Sequence, residues 1–203
     1  MSVAAAVKRE AGIDAAEFIR ANCYRVLARL FAAAPDAGLM AHLADSASAA
    51  PSGDLGESWN ALCAEAAKVS AGGTAAGDAL AQAYTEIFCA IGEPRVMLYG
   101  SWYLTGALMD APLARLRTDL AQLGFERQPE VTEPEDHVAA LCEVMAELIT
   151  AGSPAQAEFF LRHLAPWYGR LCAALAAEES GFYRAAAEFA RSFLDGENEL
   201  LAL

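Results

Sequence analysis

The densest cluster of side chains that could do chemistry lies at residues 132–137, which read Thr-Glu-Pro-Glu-Asp-His. Its three carboxylates and its imidazole could serve as general acids and bases, or could bind a basic ligand. Thr132 and Glu135 also fit the capping box that starts many helices, and Pro134 is tolerated in a first turn. Capping leaves His137 unexplained, because a protonated histidine opposes the helix dipole there. The pattern therefore leaves a capping role and a functional role open.

Catalytic interpretations find little support in the rest of the sequence. It contains neither the G-x-x-x-x-G-K-S/T phosphate loop nor the G-x-S-x-G nucleophile elbow. The sequence also contains no H-x-x-x-H pair, the spacing that would put two imidazoles on one helical face. An enzyme would have to use His137 as a base oriented by Asp136, and adjacent side chains on a helix point apart. We therefore predict a protein that is not an enzyme and that holds no metal or cofactor.

An aromatic segment forms the second candidate site. Residues 98–104 read Leu-Tyr-Gly-Ser-Trp-Tyr-Leu, and Tyr84, Ile87 and Phe88 come shortly before them. Glycine and proline residues punctuate this region and predict a connection rather than a helix. Such an apolar connection indicates either a plug packed on the core or a groove that receives an extended or helical peptide.

The elements around both segments are predicted to be helices. The chain of 203 residues is 56% hydrophobic and contains 48 alanines, which favour helices and disfavour strands. Apolar residues recur with helical spacing, as at Phe182, Ala186, Phe189 and Phe193. No segment has the sustained alternation of a strand. The fold class is therefore predicted as all-α, a single globular bundle of about eight to ten helices.

Breaks in the periodicity predict the organisation of this bundle. Glycine, proline and polar residues at 124–134 predict a hinge, with an N-terminal part at 1–123 and a C-terminal part at 135–203 of one domain. Pro166 should interrupt the helix that starts after Ser153 and Pro154. The predicted helices are residues 14–33, 36–46, 55–70, 74 or 78 to 90, 112–123, 135–150, one from 154 and one through 182–193.

The net charge and the cysteines indicate which kinds of partner and which cellular compartment the sequence favours. The formal net charge of −13 argues against nucleic acid and favours a basic partner. The five cysteines are odd in number and form no C-x-x-C pair, which predicts reduced core residues rather than a zinc site. The sequence lacks a run of about eighteen apolar residues and the layout of a secretory signal. We therefore expect a cytoplasmic protein with no membrane span.

Five segments occur in a recognisable order, with an E-P-x-D-H motif as the most specific part. They are residues 84–88, 98–104, 133–138, 159–167 and 182–183. Together they resemble the TorD/DmsD family of cytoplasmic chaperones for molybdoenzymes, over about residues 21–193. The resemblance implies an all-helical fold without catalysis. It also implies binding of the twin-arginine signal peptide, and often of the apoenzyme, of a molybdopterin oxidoreductase until its cofactor is inserted.

The resemblance also implies a peptide-binding site. Its residues are Tyr84, Ile87, Phe88, Tyr99, Gly100, Ser101, Glu133, Pro134, Asp136 and His137. A twin-arginine leader presents guanidiniums beside an apolar stretch. The hypothesis is that Asp136 or Glu133 meets the arginines, while Phe88 and Tyr99 meet the apolar region.

Several alternatives stay open at this point. The motif wording favours a formate-dehydrogenase-like client, although sulfoxide and amine-oxide reductases also fit. The hinge permits a domain-swapped dimer beside a monomer. A non-catalytic accessory subunit of a redox complex is one rival function. A small-molecule-binding all-α regulator is another, although the N-terminal region lacks a basic helix-turn-helix.

Overall fold

A computed structural model describes residues 14–46, 53–89, 94–127 and 132–202 of the chain. These residues form ten α-helices and no strand, so the all-α prediction is confirmed. The predictions for residues 1–12, for most of the loop at 46–56, for residues 91–93 and for the middle of the hinge lie outside the described residues. The helices are α1 (Ala15–Ala32), α2 (Ala37–Asp45), α3 (Asp54–Ala71), α4 (Gly73–Phe88), α5 (Gly100–Thr105), α6 (Ala111–Gln122), α7 (Val138–Thr150), α8 (Gln156–His163), α9 (Tyr168–Ala176) and α10 (Gly181–Leu201).

The chain divides into two compact units, and each unit is assembled from separated segments. The first comprises Met1–Ala32, Tyr99–Pro166 and Asn198–Leu203, and the second comprises Ala33–Leu98 and Trp167–Glu197. The hinge at residues 124–134 falls inside a segment of the first unit. The single domain with a hinge stays a prediction.

The first unit is built on the packing of α1 along α7. Leu27 and Leu30 on α1 and Met145 on α7 are completely buried, as expected for facing apolar stripes. A hydrogen bond of 2.9 Å from Arg25 Nη2 to Thr150 Oγ1 joins the same two helices. This pair of helices forms the support against which the candidate site is assembled.

The second unit has an aromatic core. Its helix α2 packs against α3 and begins at Asp36, whose Oδ1 accepts a hydrogen bond of 2.7 Å from the Leu39 N–H. The Trp59 ring on α3 lies 5.2 Å from that of Phe189 on α10. These contacts are the tertiary packing that short amphipathic helices need for stability.

Two predictions about local structure are wrong. The segment predicted as a connection contains α5, a helix of six residues that ends at Gly106 with φ +80°. Its start depends on a distant side chain, described below, which local sequence patterns cannot reveal. The prediction that all five cysteines are core residues is wrong for Cys89, which is exposed, whereas the other four are buried free thiols.

The interruption at Pro166 is confirmed, because α8 ends at His163 and α9 begins at Tyr168.

Within the described part of the chain, no helix combines the length and the apolar character that crossing a membrane requires.

Candidate functional site

The two motif segments of the sequence meet in the first unit. Tyr99 and His137 form an isolated antiparallel bridge, and the Gly100 N–H donates a hydrogen bond of 2.9 Å to the Asp136 carbonyl. The Tyr99 ring stands edge-on to the His137 imidazole, with 5.1 Å between centroids. The aromatic segment and the E-P-E-D-H segment therefore form one site.

Asp136 is the residue that joins this site to helix α5. Its side chain is only 3% exposed, and its Oδ2 accepts a hydrogen bond of 2.7 Å from the Ser101 N–H in the first turn of that helix. The other oxygen, Oδ1, and the fully buried Ser101 hydroxyl have no hydrogen-bond partner among the described residues. Buried polar atoms are almost always paired, so these two atoms have hydrogen-bonding capacity that the described residues do not use.

His137 is the N-cap of α7. Its Nδ1 accepts a hydrogen bond of 3.1 Å from the Ala139 N–H, so that nitrogen carries no proton. Burial lowers the pKa of His137, against the raising effects of Glu133 and Asp136. Because α7 begins at Val138, the capping box predicted for Thr132 and Glu135 is wrong. The imidazole itself is the cap, which explains why a histidine stands at this position.

Among the remaining residues of the E-P-E-D-H segment, Glu133 is exposed, whereas Pro134 and Glu135 are half-buried. The Tyr99 hydroxyl donates a hydrogen bond to the exposed Glu133 carboxylate. Glu135 pairs with Arg117 at 2.9 Å and with Arg127 at 3.8 Å. Burial alone raises the pKa of Glu135, but the hydrogen bond from Arg117 and both positive charges hold it below its ordinary value. Glu135 therefore anchors the segment, while Glu133 lies at its outer edge.

A cavity of about 40 Å³ opens beside Asp136. Both apolar and polar residues line it, and Asp136 and Ser101, which carry the unpaired atoms, are among them. Its lining residues are Gly100, Ser101, Leu104, Pro112, Arg115, Leu116, Asp136, Leu141, Arg162 and His163.

Two of the lining residues, Arg162 and His163, belong to a hydrogen-bonded group from α6 and α8. Asp119 Oδ2 lies 2.8 Å from His163 Nε2 and 2.9 Å from Arg162 Nη1. The hydrogen bond from Arg162 lowers the pKa of Asp119, and burial lowers the pKa of His163. A further pair joins Arg162 to Glu158 at 2.5 Å, so neighbouring carboxylates offset the Arg162 charge.

Sequence reasoning missed the residues from α6 and α8. Arg115 and Asp119 were not singled out, Arg162 entered only within the segment 159–167 of the resemblance, and His163 entered there and in the search for paired histidines. Asp119 and His163 are 44 residues apart, and only the tertiary packing of two helices brings them together. No local pattern could have found this group.

Three of the predicted peptide-binding residues belong to the second unit. Tyr84, Ile87 and Phe88 are 9%, 2% and 8% exposed. The Phe88 ring lies 5.0 Å from that of Tyr84 and 5.3 Å from that of Tyr183. They are part of an aromatic core, and their role in peptide binding stays a prediction.

No group of three or more His, Cys, Asp or Glu residues is placed to hold a metal ion within the described ranges. The cavity beside Asp136 instead combines one buried carboxylate with apolar residues and two arginines, Arg115 and Arg162.

Comparison with known proteins identifies the family. A family model for the nitrate reductase delta subunit matches residues 48–173, which is more than half of the chain. The chain belongs to this family. Its resemblance to the TorD/DmsD chaperones is confirmed by that match together with the relatives below.

A curated relative and a solved structure extend the comparison. Chaperone protein TorD from Actinobacillus succinogenes is 27% identical over 95 residues, or 46% of this chain and 49% of the relative. The chain thus spans about half the length of that relative. A candidate redox enzyme maturation protein from Archaeoglobus fulgidus has a similar crystal structure, with a TM-score of 0.54 and 15% identity over 88% of this chain and 93% of that one. At this identity the likeness is one of fold.

Proposed function

We propose that this family member is a cytoplasmic maturation chaperone for a molybdopterin oxidoreductase, and is not itself an enzyme. It binds the twin-arginine signal peptide, the apoenzyme or both, and holds the client until its cofactor is inserted before export. Family membership and the similarity to a TorD chaperone support this role. The observation that carries the binding site is the buried Asp136, a residue of the cavity wall whose Oδ1 has no hydrogen-bond partner among the described residues.

The cavity has the chemistry that an arginine side chain needs. The aliphatic stem of the arginine would contact the apolar lining residues, which are Leu104, Pro112, Leu116 and Leu141. The guanidinium would donate to Asp136 Oδ1, and a hydrogen bond to a charged group contributes about 1.5–3 kcal/mol. A cavity that holds one water needs roughly 10–15 Å³. The cavity of about 40 Å³ is several times larger, and we propose that it accepts the planar guanidinium group.

The surface residues of the site would receive the second arginine. Glu133 is exposed and is held by the Tyr99 hydroxyl. An exposed ion pair contributes at most about 1 kcal/mol, so Glu133 should matter less than Asp136. Pro134 and His137 shape the segment, because the Pro134 carbonyl accepts from the His137 N–H at 3.1 Å.

The other parts of the proposal concern partners and assembly. The client is proposed to be formate-dehydrogenase-like, and the protein to act as a monomer or a domain-swapped dimer without a cofactor of its own. Tyr84, Ile87 and Phe88 stay proposed peptide contacts. Because they are buried, they would reach a peptide only if the second unit opens.

Co-expression with a client tests the function. A formate-dehydrogenase-type precursor with its leader is produced with and without this protein, and the molybdopterin content of the purified client is measured. We expect cofactor loading to rise several-fold with the wild-type chain and less with Asp136→Asn. Equal loading with and without the protein would contradict the maturation role.

Direct titration of a leader peptide tests the site. Asp136→Asn should weaken binding about tenfold, since the amide keeps the cap of α5 but removes the charge. Asp36→Asn is the matched control, because the Asp36 carboxylate also accepts a hydrogen bond from a backbone N–H in the first turn of a helix, α2.

Arg115 is an exposed arginine of the cavity wall. If the cavity binds a guanidinium, Arg115→Gln preserves or improves affinity, whereas a weaker complex would indicate an anionic ligand.

An accessory-subunit role is the second candidate, because the matching family is described as a reductase subunit. Stable co-purification with the mature, cofactor-loaded client would favour that role, whereas release on loading would favour the chaperone.

A further inference from the structure

Three of the exposed large apolar side chains are close together in the sequence, and one of them, Leu104, lines the Asp136 cavity. Leu104, Leu108 and Met109 are 37%, 43% and 70% exposed and lie within six residues of one another. They belong to the end of α5 and its connection to α6. We call these three residues the apolar shelf. Scattered exposed apolar residues are ordinary, but a local group of large ones marks an interaction surface.

The backbone of the shelf is strained at Met109. Its φ of +56° is in the left-handed region, and every other positive φ among the described residues belongs to a glycine. A side chain with a Cβ atom pays a free-energy cost in this conformation. Met109 recovers little of that cost by burial, because it is the most exposed of the large hydrophobic residues described. Such strain is typical of positions kept for binding rather than for stability.

The shelf is held firmly at both ends. On the α5 side, the Thr105 hydroxyl donates to the Ser101 carbonyl at 3.0 Å, and the Gly106 N–H donates to the Trp102 carbonyl at 2.8 Å. On the α6 side, Asp110 caps the helix by accepting from the Ala111 N–H at 2.7 Å. The apolar side chains are therefore presented by a fixed support, which lowers the entropy lost when a partner binds.

The shelf is continuous with the cavity. Leu104 belongs to both, and Pro112, which follows the shelf at the start of α6, also lines the cavity. A ligand with a cationic group in the cavity would thus contact Leu104, the first residue of the shelf. A partner that matches this surface carries a cation followed by an apolar segment.

We infer that the shelf binds the apolar stretch that follows the arginines of the client leader. This inference rests on the proposed function, because it places a leader arginine in the cavity. Export signals carry about 7–15 apolar residues after their positive region, which is the order that cavity and shelf require. Leu108 and Met109 then add exposed apolar contacts to the contact proposed for Phe88, which is only 8% exposed.

The test uses the full chain and two synthetic peptides. One is a formate-dehydrogenase-type twin-arginine leader, and the other has its apolar stretch replaced by serine and glycine. The variant Leu108→Ser/Met109→Gly should bind the intact leader about tenfold more weakly than wild type, and both proteins should bind the altered peptide equally. Leu200→Ser is the control, because Leu200 is 50% exposed on α10.

A stability measurement separates binding from folding. Met109→Gly should keep or raise the melting temperature, because glycine adopts positive φ without strain. A lower affinity in a protein that melts no earlier than wild type therefore supports the shelf as a binding surface.

Three results would overturn the inference. An unchanged affinity of the double variant for the intact leader would reject the shelf. If Asp136→Asn still weakened binding in that case, the proposed function would survive. A changed monomer–dimer equilibrium with unchanged leader affinity would show that the shelf binds a second copy of the chain. Failure of the wild-type chain to bind the intact leader would reject the proposed function together with the shelf.

Discussion

His137 caps α7 through Nδ1, so the cap exists only while that nitrogen is deprotonated. Burial lowers its pKa from the ordinary value of 6.5. Below that pH the unfolded chain therefore binds more protons than the folded chain, and the free energy of unfolding falls as the pH falls. A neutral imidazole is thus part of the folded site, which disfavours a role as a permanent positive charge.

Replacing His137 by an untitratable cap should reduce this pH dependence. In His137→Asn the cap is retained, because asparagine is a good N-cap residue. We expect the wild type to lose more stability than the variant between pH 7 and pH 5, as measured by urea unfolding. His42→Asn serves as the control, since His42 is exposed on α2. Parallel pH profiles of wild type and His137→Asn would show that His137 does not titrate with unfolding.

Helix α5 shows how an element can depend on a remote residue. It has six residues, and isolated helices of this length are unstable in water. Asp136 supplies its N-terminal hydrogen bond from 35 residues away along the chain. The same carboxylate also presents the orphaned Oδ1 to the cavity. The position of α5 and the binding site are therefore fixed by one side chain.

Hydrogen exchange at the Ser101 amide tests this dependence. Asp136→Ala removes the acceptor, so the Ser101 amide should exchange faster and the protein should lose about 1 kcal/mol of stability. Asp136→Asn keeps an acceptor oxygen and should exchange nearly as slowly as the wild type. Equal exchange in all three proteins would mean that α5 does not need the Asp136 cap.

Sequence patterns predicted most helices, including the nine-residue α2, but missed the six-residue α5. Helices α1, α3 and α10 follow their own apolar periodicity, so their existence could be predicted locally. The start of α7 was misplaced by three residues, because a histidine cap lacks the familiar capping-box signature. The meeting of Tyr99 with His137 is a tertiary contact, and only the family resemblance pointed to it.

At the scale of the whole molecule, both compact units are discontinuous in sequence. The first unit needs α1 together with α5 to α8, and the second needs α2 to α4 together with α9 and most of α10. A cut between residues 128 and 129 would leave both units incomplete in either fragment. We therefore expect that neither residues 1–128 nor residues 129–203 fold independently.

Fragments of the chain test this organisation. Residues 1–128 and 129–203 should each lack a cooperative thermal transition by circular dichroism, because α1 loses its partner α7. Mixing the two fragments should recover helix content and a single transition. A cooperative transition in one isolated fragment would contradict the expected dependence.

The central claim is that Asp136 receives an arginine of the client leader. A double-mutant cycle tests it most directly, with Asp136→Asn in the protein, each leader arginine replaced in turn by glutamine, and affinities measured by calorimetry. Residues in direct contact give coupling energies of about 0.5–3 kcal/mol. We predict a coupling of about 2 kcal/mol between Asp136 and one of the two arginines. Additive effects for both arginines would contradict the account.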